Sequence, residues 1–92
     1  MSLIKEAVQR AQRYLGRRAQ DYQIVFDPES PQGQRVLADL AKFCRAHHST
    51  FHADPRIHAA LEGRREVWLR IVQHLNLTSE ELWDLYGRKD IE

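Results

Sequence analysis

The chain has 92 residues, 42% of them hydrophobic and 29% charged, with a formal net charge of +1. Those proportions fit one small globular domain and exclude wholesale disorder. The single cysteine, Cys44, excludes an intrachain disulfide, and no apolar run approaches the roughly 18–20 residues of a membrane span.

Charge is unevenly placed. Residues 1–20 carry Lys5, Arg10, Arg13, Arg17 and Arg18 against Glu6, while residues 78–92 carry Glu80, Glu81, Asp84, Asp90 and Glu92 against Arg88 and Lys89. Oppositely charged ends favour head-to-tail association, or offer the basic end to an anionic partner. Met1 to Glu6 lack the apolar stretch of a signal peptide, so a soluble protein kept inside a cell is expected.

The first helix is expected from about Leu3 to Ala19. Ile4, Ala7, Val8, Ala11 and Leu15 form its apolar stripe, with Tyr14 at the edge, and Arg10, Arg13 and Arg17 stand together on another side. So thin a stripe gains little from docking on its own domain. Residues 1–20 are therefore read as a basic amphipathic helix that binds a partner, lying alongside the domain or extending away. Leu3, Ile4, Val8 and Tyr14 are its candidate partner-binding residues.

Residues 21–87 are read as a compact helical domain and 88–92 as a frayed acidic tail. The β-branched pair in Asp21–Phe26 would suit a strand, but nothing offers it a pairing partner. A short helical turn is expected, with Tyr22, Val25 and Phe26 pinning the linker to the core. Pro28 and Pro31 then break any helix.

The second helix is expected from the Ser30 cap, with Pro31 in its first turn, to about Ala46. Val36, Leu37, Leu40, Ala41, Phe43 and Cys44 give it a wide apolar face. Asp54 and Pro55 start a third helix, whose apolar positions are Ile57, Ala60, Leu61, Val67, Trp68, Ile71, Val72 and Leu75. Gly63 interrupts it at a cost of about 1 kcal/mol relative to Ala. Either another helix approaches closely across Ala59, Ala60 and Gly63, or the glycine is merely tolerated. Thr78-Ser79-Glu80-Glu81 is a capping box ahead of Leu82, and the fourth helix it starts is stopped by Gly87. Core packing is the default reading of the tryptophans Trp68 and Trp83, but on that short helix Trp83 and Tyr86 are expected to spill onto an interface and join the partner-binding set.

The fold expected is all-α: a small helical domain with the second and third helices as a central antiparallel pair, a short closing C-terminal helix and the N-terminal amphipathic helix. The expected core is Val36, Leu37, Leu40, Phe43, Cys44, Leu61, Trp68 and Ile71.

Candidate chemistry is sparse. Cys44 and His47 are spaced by three, His48 and His52 by four, and His58 follows. A structural zinc site wants two spaced pairs closing a tetrahedron, whereas here a single cysteine lies on the buried side of its helix. These residues are read as a buried thiol and solvated loop histidines, with no metal or cofactor expected. Nothing marks Cys44 as an exposed, electropositive nucleophile, the four glycines are scattered, and no catalytic residue is assigned. Arg10, Arg13, Arg17 and Arg18 are the candidate nucleic-acid-binding residues, through phosphate contacts. A second basic set, Arg64, Arg65 and Arg70, is interleaved with Glu62 and Glu66. The loop between the second and third helices is too long for a helix-turn-helix.

The order Tyr22-Gln23-Ile24-Val25-Phe26, Gly33-Gln34-Arg35-Val36-Leu37-Ala38-Asp39-Leu40, Phe43-Cys44, Phe51, Glu62-Gly63-Arg64-Arg65-Glu66-Val67-Trp68-Leu69-Arg70-Ile71 and Leu75-Asn76-Leu77 resembles a family of small tailed-bacteriophage proteins. The family is typified by a short product of the Bordetella phage head-gene cluster, encoded beside portal and capsid genes. The resemblance spans about Tyr22 to Leu77. It implies no enzymatic activity and carries over no catalytic residue. It implies a virion structural or head-assembly role, portal-associated or inside the head, in several copies. The partners implied are portal or internal head proteins and further copies of the chain. The implied location is the virion, and the host cytoplasm during assembly, with no membrane. The alternative is an accessory protein that binds nucleic acid non-specifically through the basic N-terminal helix.

Overall fold

The structure is a computed structural model that describes residues 3–87. Helices follow in the order α1 (Leu3–Val25), α2 (Pro31–Phe43), α3 (Pro55–Asn76) and α4 (Ser79–Leu82), which runs on into a π-helical turn over Trp83–Gly87. The all-α expectation holds, with no strand among the described residues. The anticipated tail at 88–92 lies outside them.

Helix starts follow local chemistry. Ser30 Oγ accepts from Gly33 N at 2.9 Å, with Pro31 at the first helical position. Asp54 Oδ1 accepts from Arg56 N at 2.9 Å, ahead of Pro55. Thr78 and Glu81 complete the capping box with reciprocal bonds of 3.1 and 3.2 Å. α2 closes earlier than expected. Ala46 N donates to Ala41 O at 2.9 Å and Arg45 N to Lys42 O at 3.2 Å, a Schellman pattern that holds Arg45 at φ 54°.

Two expectations are corrected. The first is the break near Ala19. α1 continues for 23 residues to Val25, and Phe26 N still bonds Tyr22 O at 2.8 Å. No proline or glycine interrupts residues 19–25, and Ile24 and Val25 lower helix propensity by only about half a kcal/mol each. The helix thus crosses the anticipated boundary at residues 20–21. Tyr22 and Phe26 are partly buried, but Val25 is 72% exposed and pins nothing.

The second is the identity of the central pair. α1 packs along α3 and against α4 and the π-turn, whereas α2 meets α3 over a short stretch only. The core is Leu15, Ala19 and the fully buried Leu82, flanked by Leu77, Trp83 and Tyr86. Of the expected core, Cys44 and Ile71 are buried and Leu37, Leu40, Leu61 and Trp68 are partly buried. Val36 and Phe43 are instead 48% and 57% exposed. A wide apolar face shows that a helix could be buried; it does not show what covers it. Phe43 is met by the Arg64 guanidinium, 4.4 Å from its ring centroid, rather than by an apolar layer.

The Cα trace measures 53 × 35 × 13 Å, and its radius of gyration is 16.0 Å. A compact domain of this length would have a radius of about 12 Å. Its thinnest dimension, 13 Å between Cα atoms, exceeds the Cα cylinder of one helix, about 4.6 Å across, so the chain is flattened but more than one helix deep. So flat and extended a chain shelters little, and Leu3, Ile4, Ile24, Val67 and Leu69 all remain exposed.

This packing predicts that Leu82→Ala costs about 2–5 kcal/mol in urea unfolding, while Val36→Ala costs about 0.5 kcal/mol or less. The reverse order would restore α2 to the core. The glycines separate as well. A Cβ on Gly33 would stand 1.7 Å from Asp27 O, whereas one on Gly63 meets nothing within 4 Å. Gly33→Ala is expected to strip hydrogen-exchange protection from the first turns of α2. Gly63→Ala should raise the unfolding free energy by up to about 1 kcal/mol.

Candidate functional site

One buried polar residue joins three elements. His74, in the last turn of α3, has a relative exposure of 0%. Arg18 of α1 donates from Nε to His74 Nε2 at 2.9 Å. A guanidinium has no acceptor, so Nε2 must be the unprotonated nitrogen. Nδ1 therefore carries the proton and donates to Arg70 O, one turn earlier, at 2.7 Å. Both nitrogens are committed, and the neutral imidazole is held in one tautomer.

Rings enclose it. Tyr22 of α1 stacks on His74 at 4.3 Å and 17°, and Tyr86 of the π-turn stacks at 5.4 Å and 26°. The Arg18 and Arg70 guanidinium carbons lie 5.4 and 5.0 Å from the Tyr86 centroid. The Tyr86 hydroxyl donates to Gln73, and Gln23 Nε2 donates to His74 O at 3.4 Å. Burial lowers the His74 pKa from the ordinary imidazole value; the Arg70 carbonyl bond opposes this, and the Arg18 and Arg70 charges reinforce it.

The residues singled out from sequence fall in different places. Leu3, Ile4 and Tyr14 are 82%, 76% and 64% exposed, while Val8 is partly buried. Trp83 and Tyr86 pack against the core rather than standing clear of it. Arg10, Arg13 and Arg17 line a shallow pocket of about 290 Å³ together with Tyr14. Arg18 leaves that basic group, because its side chain turns inward to His74.

The thiol and histidines of the 44–58 region also separate. Cys44 is buried, His47, His48 and His52 are exposed, and His58 Nδ1 donates to Thr50 O at 3.0 Å. Among the described residues no three of His, Cys, Asp and Glu come together as a metal-binding set. The region is tied down instead by α3: Arg65 Nη1 donates to Arg45 O at 3.3 Å and His48 O at 3.1 Å, and Thr50 Oγ1 donates to Glu62.

Sequence reasoning missed His74. Its signal was position: three residues after Ile71 and one before Leu75, on an apolar stripe where a polar side chain must find partners. Beside it, Gly63, Val67, Leu69, Leu85 and Tyr86, with Glu66, Arg70 and Gln73, line a groove of about 470 Å³. Gly63 thus faces open space, and no helix of the described chain approaches it.

The depressed His74 pKa fixes a pH dependence. Above about pH 6.5 the imidazole is neutral in both folded and unfolded chains and contributes no slope. As pH falls below that value the unfolded chain takes up a proton that the folded chain refuses. Stability then drops by up to about 1.4 kcal/mol per pH unit, until the lower folded pKa is reached. Urea unfolding at pH 7.5 and 5.5 should show this loss, and His74→Gln should reduce it. An identical loss in the variant would remove His74 as its source.

The family model for Bbp19-like phage proteins matches residues 22–86, about seven-tenths of the chain. No curated protein and no solved structure matches it. The match begins at Tyr22 and ends at Tyr86, the two rings that enclose His74. The chain belongs to the family of Bbp19-like phage proteins.

Proposed function

We propose that this is a non-enzymatic structural or assembly protein of the phage particle, held at the portal or inside the head in several copies. The observation that carries the reading is the apolar groove beside His74. Val67, Leu69 and Leu85 on its walls are 55%, 41% and 39% exposed. Three exposed apolar side chains grouped along one groove support a protein-binding face there. Membership in a phage protein family supports virion components as the partners, either further copies of the chain or neighbouring head proteins.

A non-enzymatic role is supported by how the polar groups are used. The buried imidazole has both nitrogens bonded, and the Cys44 thiol is 2% exposed. Neither presents a free lone pair to a substrate. No helix among the described residues is long and apolar enough to cross a membrane.

Sedimentation of the purified chain should give a mass above the 10.9 kDa of one copy, and Val67→Glu with Leu85→Glu should return it to the monomer. Both positions are exposed, so the far-ultraviolet spectrum should be unchanged. Mass spectrometry of purified particles should find the chain. A wild-type monomer that is also missing from particles would overturn the proposal.

A further inference from the structure

We infer that α1 carries a binding site for single-stranded nucleic acid, built from Arg10, Arg13, Tyr14 and Arg17. The spacing places all four on one side of the helix, away from Leu15 and Ala19, over about 10 Å of its axis. Together they line a single pocket. The three arginines are exposed, and among the described residues none of them pairs with a carboxylate. Glu6 and Asp21 stand one turn beyond Arg10 and Arg17, so the positive stripe is bounded at both ends.

The aromatic ring decides the class of ligand. Tyr14 is 64% exposed, and its ring lies 5.9 Å from the Arg18 guanidinium, which is itself fixed by its bond to His74. The ring is therefore backed by an anchored cation while most of its surface meets solvent. Guanidinium forks match phosphate oxygens, and an exposed ring between them offers a stacking platform to an unpaired base. A duplex hides its base faces and would use the arginines alone. An anionic membrane would need a continuous apolar helix face to insert, and the middle of that face of α1, Leu15 and Ala19, is packed against Leu82.

The site is separate from the groove of the α3 face, and its test does not depend on assembly. Fluorescence anisotropy of the full chain with a labelled oligothymidylate of about 20 nucleotides is the measurement. Binding should be saturable at about 50 mM salt and about 20-fold weaker at 200 mM, as three phosphate contacts on a single strand imply. The variant R10Q/R13Q/R17Q should lose binding with an unchanged far-ultraviolet spectrum. The control R35Q/K42Q/R56Q, which removes the same charge from other exposed positions, should keep it. Tyr14→Ala should weaken binding about 5-fold or more, and Tyr14→Phe should leave it intact. The inference is overturned by absence of binding at the lower salt, by equal losses in the patch and control variants, or by an unaffected Tyr14→Ala. Capture by phosphatidylserine vesicles without capture of the oligonucleotide would overturn it too.

Discussion

The bond from Arg18 to His74 is the constraint on which the rest of this structure depends. It crosses from α1 to α3, separated by 56 positions in the chain, at a point from which solvent is excluded. In so flat and extended a chain, few positions are sheltered enough to make a hydrogen bond count. His74 occupies one of them and satisfies both nitrogens. Tyr22 and Tyr86 then close over its ring, so that α1, α3 and the π-turn are fixed relative to one another by a single residue. Leu15, Ala19 and Leu82 supply the apolar part of the same junction.

That junction divides the surface into faces with different chemistry. Arg18 is drawn inward, which leaves Arg10, Arg13 and Arg17 as the outer basic stripe and sets Tyr14 beside them. Arg70, whose carbonyl accepts the hydrogen bond from His74 Nδ1, lies over Tyr86 and helps line the apolar groove. Each candidate binding surface thus adjoins a residue bonded to one buried imidazole. The family match covers Tyr22, His74 and Tyr86, while Arg18, Leu15, Ala19 and the basic stripe precede it. The matched stretch meets its core partner in residues outside the match.

The connection from Cys44 to Asp54 shows how polar residues are absorbed by structure. The Schellman closure of α2 puts Arg45 in the left-handed region, and Arg45 Nε then donates to Ser49 O at 2.9 Å. Arg65, Glu62 and His58 of α3 take up backbone and hydroxyl groups of the same loop. His52 Nδ1 accepts from Asp54 N at 3.0 Å, beside the cap of α3. Residues whose spacing resembles a ligand set are here the means of holding a long loop.

Taken alone, the sequence determined what depends on near neighbours. Ser30, Asp54 and the Thr78–Glu81 box mark helix starts because a cap bonds within three residues of itself. Helical periodicity gave the all-α class, and the ordered motifs from Tyr22 to Leu77 gave the family. Tertiary structure alone decided which apolar faces meet. Val36 and Phe43 lie on as good a stripe as Leu15 and Ala19, yet only the latter are buried, because burial depends on the partner that arrives. The turning inward of Arg18 is likewise a tertiary outcome. Its partner His74 lies 56 positions along the chain, and no local pattern encodes that distance.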